Sequence, residues 1–127
     1  MNLTTGFDRD ALLREMIETA TPIERVLIAY DHLEVLLGVA ENAMLEQHPA
    51  EVNANLQRCQ RLLSFLSIAL DHESFGAAAR IDQIYLYCWR RLVEANIHLD
   101  IERLQEVRGY ITDLAEAFHR AAAPASV

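Results

Sequence analysis

In 127 residues, 52% hydrophobic and 24% charged, there is material for one globular domain with its own core, and 4 Gly and 3 Pro are too few for the closely spaced turns of an all-β fold. Eleven basic residues, all Arg, stand against 19 acidic ones, and the net charge of −8 opposes both a nucleic-acid backbone and an anionic lipid surface. Without Lys there is no phosphate-loop lysine and no Schiff-base chemistry, and no apolar run reaches the roughly 18 residues of a membrane span.

Residues 1–20 carry Asp8, Asp10, Glu15 and Glu18 among their apolar positions, unlike the basic start and clean apolar core of a secretory signal. They read as a mobile segment with a short helix near 9–19, presenting Leu12, Leu13, Met16 and Ile17 on one side. Thr21-Pro22-Ile23-Glu24 then combines a capping Thr, a Pro at the first helical position and a Glu three residues after the cap. The helix it opens is expected over 22–47, on a core ladder of Ile23, Val26, Leu27, Tyr30, Leu33, Leu37, Ala40 and Met44, and stops before Pro49. A second helix over 50–72 rests on Val52, Leu56, Cys59, Leu63, Leu66 and Leu70. A third over 76–97 rests on Ala77, Ile81, Ile84, Cys88, Leu92 and Ala95. Asp100 caps a fourth over 101–121, on Ile101, Leu104, Val107, Ile111, Leu114, Phe118 and Ala121, and 122–127 reads as a disordered tail. Steps of three and four throughout, joined by short connections, predict an all-α fold. Residues 21–121 form an antiparallel up-down-up-down four-helix bundle, preceded by the short N-terminal helix.

No catalytic constellation emerges. Carboxylate-bridged metal chemistry in a bundle needs two Glu-x-x-His units; only Glu116-Ala117-Phe118-His119 is present. The Asp31-His32 and Asp71-His72 neighbours point about 100° apart on a helix and cannot work as pairs. Cys59 and Cys88 read as reduced core thiols of a cytosolic protein. The expectation is therefore no catalytic residue, no metal and no cofactor.

Surplus apolar surface remains. Beyond the core ladders, the first helix carries Ile28, Val35, Leu36, Val39 and Ala43, the second Leu62, Phe65, Ile68 and Ala69, and the third Leu86, Trp89 and Val93. A bundle helix needs one apolar stripe, so a second must be covered by something. One solution is a groove that receives another chain's helix. The others are a homo-oligomer interface, in a self-associating bundle with no such partner, and absorption into a wide core closed by the N-terminal helix.

The strings ETATPIERVLIAYD, IALDHE, IYLYCWRRLVEAN and LQEVRGYITDLAEAF, from Glu18 to Arg120, fall in the order and spacing of the FliS family of flagellar export chaperones, which this chain resembles. The resemblance implies a cytoplasmic, non-catalytic four-helix bundle, monomeric or weakly dimeric. It implies a bundle that holds the C-terminal segment of unassembled flagellin, prevents premature polymerisation and delivers the subunit to components of the export gate. Nucleic acid and membrane insertion play no part. The flagellin segment would wrap the outside of the bundle, with Ile28, Val35, Val39, Leu62, Phe65, Leu86, Trp89 and Val93 as contact candidates. The N-terminal segment, through Phe7, Leu12, Leu13, Met16 and Ile17, would cover part of that surface until flagellin binds. The chain departs from the family pattern at His32, where Gly is usual after Tyr-Asp, and at Phe118, where the family has Trp. Phe7 is the aromatic nearest the family's early Tyr, and Leu86 and Trp89 stand where polar residues are common.

Overall fold

The computed structural model describes residues 10–12, 21–73 and 76–123. Four long helices account for most of them: α1 (Pro22–Leu45), α2 (Pro49–Ala69), α3 (Ala78–His98) and α4 (Ile101–Ala122). Residues 10–12 are helical too, and the described residues contain no strand. Most of the expected helix 9–19, and residues 124–127 of the expected tail, lie outside the described residues; Ala122 still belongs to α4.

Local chemistry sets the helix ends. At α1 the Glu24 amide donates to Thr21 Oγ1 (3.3 Å) and the Thr21 amide donates to Glu24 Oε2 (3.4 Å), a complete capping box followed by Pro22. At α4 Asp100 Oδ1 accepts from the amides of Glu102 (3.0 Å) and Arg103 (3.3 Å). The helices α1 and α3 terminate alike. The His48 amide donates to Ala43 O (2.9 Å) and the Asp100 amide to Ala95 O (3.0 Å), around Gln47 (φ 61°) and Leu99 (φ 50°) in the left-handed region. This is the Schellman turn, in which Gly is the favoured left-handed residue. It ends α1 at Leu45, ahead of the expected 47, because Glu46 and Gln47 form the turn. Similarly α2 ends at Ala69 rather than 72, since Leu70 is already extended, and α3 starts at Ala78 rather than 76. Gln47 is exposed and holds a conformation that is unfavourable with a Cβ. Gln47→Gly should therefore raise stability by about 0.5–1 kcal/mol, after allowing for the greater freedom of Gly in the unfolded chain. The shift in urea midpoint checks it.

The helix α1 packs on α2 and α4, and α3 packs on the same two. Three polar rungs tie α2 to α3. Asn96 Nδ2 donates to Asn53 Oδ1 (2.7 Å), Gln60 Nε2 to the Trp89 carbonyl (3.4 Å) and the Ser67 hydroxyl to Asp82 Oδ1. Each step of seven up α2 is a step of seven down α3. Between α1 and α4, Glu41 meets Arg108 (2.7 Å) and Asp31 meets His119 (2.9 Å). Between α3 and α4, Glu106 accepts from Tyr87 and Arg91, and Glu94 pairs with Arg103 (3.2 Å). In each of these three pairs the partners run in opposite order along the two helices.

The core follows the expected ladders with instructive exceptions. Tyr30, Leu33, Leu37 and Ala40 on α1, Val52, Leu56, Cys59, Leu63 and Leu66 on α2, Cys88, Leu92 and Ala95 on α3, and Leu104, Val107 and Ile111 on α4 are all buried. Ile23, expected in the core, is 44% exposed because it sits in the first turn of α1, beyond the packed length. Ala77 precedes α3 and Ala121 lies in the last turn of α4; both are exposed. Leu36 and Ala43, assigned to a second, outward stripe, are core residues: at about 100° per residue they stand within a quarter turn or so of Leu33, on the side facing α2.

Tyr85, absent from the predicted α3 ladder, is buried and meets Tyr30 hydroxyl to hydroxyl. The Phe118 ring lies 5.2 Å from that of Tyr30, centroid to centroid. Burial, reinforced by the bond to Tyr85, raises the Tyr30 phenol well above its ordinary range, and burial raises that of Tyr85 as well. Both cysteines are free and fully buried. Burial pushes the Cys59 and Cys88 thiols up from 9 to about 12. Neither should react with Ellman's reagent in the native protein at neutral pH, and both should react once it is unfolded. Because the folded-state values lie above the unfolded ones, the thiols' contribution to stability is complete below pH 9. It is lost as the pH rises from 9 towards 12.

Candidate partner-binding site

The polar residues singled out in the sequence form local pairs rather than one cluster. Asp31 pairs with His119, Glu116 binds Arg120, and the Asp71 carboxylate accepts from the Glu73 amide (3.1 Å) in a local turn. Among the described residues no three His, Cys, Asp or Glu side chains gather where they could hold a metal ion. No helix among them is long and apolar enough to cross a membrane.

The apolar candidates do converge, on two flanks of α2. On α2, the residues that bond α3 (Asn53, Gln60, Ser67) define one side. At about 100° per residue, Leu62 and Phe65 fall on the opposite side, towards α1. The neighbouring α1, which packs on α2, carries the stripe of Ile28, Val35 and Val39, in which Val35 is 52% exposed and Ile28 half-buried. The second flank is a groove of about 490 Å³ between α2 and α3, lined by Leu63, Ile68, Tyr85, Leu86 and Trp89, with Ser64, Ser67, Asp82 and Gln83 as polar members. In it Leu86 is 50% exposed, Trp89 39% and Ile68 84%, while Val93, one turn further along α3, is half-buried.

The opposite side of α3 is polar. Arg91 lies over the Tyr87 ring (5.4 Å) and donates to Tyr87 (3.0 Å), Glu94 (2.7 Å) and Glu106 (2.9 Å). Those bonds, the one to Glu94 foremost, raise the guanidinium pKa further, so its charge is fixed. The seam between α3 and α4 is thus closed by ion pairs, whereas both flanks of α2 expose large apolar side chains to solvent.

A match to the family model of the flagellar protein FliS runs over residues 9–125. The chain belongs to the FliS family. The flagellar secretion chaperone FliS of Bacillus subtilis (strain 168) is 32% identical over 111 residues, 87% of this chain and 83% of that protein. The flagellar secretion chaperone FliS of Salmonella typhimurium (strain LT2) is 36% identical over 62 residues, 48% of this chain and 46% of that protein. FliS is a chaperone family rather than an enzyme family.

In this FliS-family chain, then, the eight contact candidates divide between two surfaces: Ile28, Val35, Val39, Leu62 and Phe65 beside α1, and Leu86, Trp89 and Val93 beside α3. Of the N-terminal candidates Leu12 is 43% exposed, and Phe7, Leu13, Met16 and Ile17 lie outside the described residues. Sequence reasoning missed the polar members of the α2–α3 groove. Ser67 and Asp82 each look like an ordinary surface residue of its own helix, and only the pairing of α2 with α3 brings them together.

Proposed function

We propose that this chain is a cytoplasmic export chaperone that holds the C-terminal segment of unassembled flagellin. Held so, flagellin cannot polymerise early and can be passed to the export gate. The four helices act as an antiparallel up-down-up-down bundle, a scaffold without chemistry whose outer grooves take up the amphipathic flagellin segment. The observation that carries this reading is the pair of exposed apolar surfaces on either flank of α2, in a member of the FliS family. Burying such surface contributes about 25 cal/mol per Å² against the ordering of a disordered segment. The net charge of −8 opposes self-association while the grooves are open. The N-terminal segment, through Phe7, Leu12, Leu13, Met16 and Ile17, serves as a removable cover for part of that surface.

Co-expression with the flagellin of the same genome, followed by affinity capture and sizing, tests the reading. A complex that disappears when flagellin lacks its C-terminal segment is the expected result. A chain that elutes as a tight homodimer and leaves flagellin behind would instead make the α2 flanks a self-association interface.

A further inference from the structure

The α2–α3 groove sets Leu63, Ile68, Tyr85, Leu86 and Trp89 beside the polar Ser64, Ser67, Asp82 and Gln83, and among its described lining residues Asp82 is the only acidic or basic group. Its carboxylate is half-buried and accepts the Ser67 hydroxyl at Oδ1. A carboxylate has about four acceptor positions, so one donor leaves most of its capacity to water. The ion pairs found among the described residues lie on the seams of α4, within α3 and α4 and at the turn between α1 and α2, and none of them engages Asp82. While the groove is open, water solvates the charge. A helix laid over Leu86, Trp89 and Ile68 would drive that water out, and sealing an ionised carboxylate without a counter-charge is strongly unfavourable. An amide on the incoming helix would supply hydrogen bonds but leave the charge unmatched; a guanidinium or ammonium supplies both.

We propose that Asp82 is a specificity determinant of the groove, pairing with a basic side chain (Arg or Lys) on the helix that docks there. This rests on the reading above, that the docked helix belongs to the flagellin C-terminal segment. Asp82 thereby sets the register of the segment, since only a basic residue at the right distance from the anchor for Trp89 can seat both contacts at once. Apolar helices without that charge would be rejected.

The competing role is a structural latch to Ser67 near the start of α3. Asp82→Asn separates the two, because the amide oxygen still accepts from Ser67 while the charge is gone. Binding of the full chain to a fluorescent peptide spanning the flagellin C-terminal segment is followed by anisotropy, with each Arg and Lys of the peptide replaced by Gln in turn. Asp82→Asn should weaken binding at least tenfold without lowering the melting temperature, and Asp82→Glu should keep most of the affinity. One peptide substitution should weaken binding to the native chain by a similar factor, yet add nothing in the Asp82→Asn background. If Asp82→Asn binds within twofold of the native chain while Trp89→Ala still weakens binding, the charge plays no part and the flagellin reading stands without it. If the native chain does not bind the peptide at all, both fall.

Discussion

Tyr30→Ala should lower the unfolding free energy by about 3–5 kcal/mol, the usual range for a large aromatic removed from a packed core. Tyr30 is fully buried, its ring lies against Phe118 and its hydroxyl bonds that of Tyr85. Truncation empties the contact between α1, α3 and α4 and strands a buried phenol. Two milder variants separate these terms. Tyr30→Phe keeps the ring but removes the partner of Tyr85, which should cost about 1–3 kcal/mol. Adding Tyr85→Phe should restore part of the loss, because no unpaired hydroxyl then remains. Denaturant melts of the three variants check the cycle; a loss under about 1 kcal/mol for Tyr30→Ala would place the ring outside the cooperative core.

Trp89→Ala should weaken binding of the flagellin C-terminal segment by about 2 kcal/mol or more, roughly thirtyfold, as expected for an aromatic anchor in an interface. The same substitution should cost less stability than Leu92→Ala. Leu92 is fully buried, whereas Trp89 is 39% exposed beside Leu86 in the groove. Deleting residues 1–19 should make Trp89 more accessible to a fluorescence quencher or tighten binding, if that segment is the cover. Calorimetry of the variant, with circular dichroism as a fold control, decides the matter. Unchanged affinity with a collapsed fold would make Trp89 an ordinary structural residue.

The elements were legible because their signals are local: the capping box at Thr21, the Asp100 cap and steps of three and four along each ladder. Errors gathered where a residue's neighbours come from other helices. Leu36 and Ala43 looked like surplus until the side of α1 facing α2 was known. Tyr85 sits four residues after Ile81 and three before Cys88, so it shares their face, and its hydroxyl needed a partner 55 positions away in the chain. The candidate site was legible as a set of apolar side chains but not as two surfaces, since their separation depends on which side of α2 meets α3. Its polar members gave no signal in the sequence, because a Ser and an Asp within helices are ordinary until the two helices are brought side by side.

The three rungs between α2 and α3 bear on how the groove could widen. They recur every seven residues, the repeat with which two helices keep one seam in contact as they wind around each other. Sliding α3 along α2 by a single turn would break all three together, and a slide of two turns would bring together residues that are not these partners. The seam therefore resists shear. Rotation of α3 about the rungs demands much less, because each is a single hydrogen bond near the outer edge. Entry of a bulky helix beside Trp89 would then be accommodated by rocking, as a book opens on its spine, with the register of the two helices unchanged.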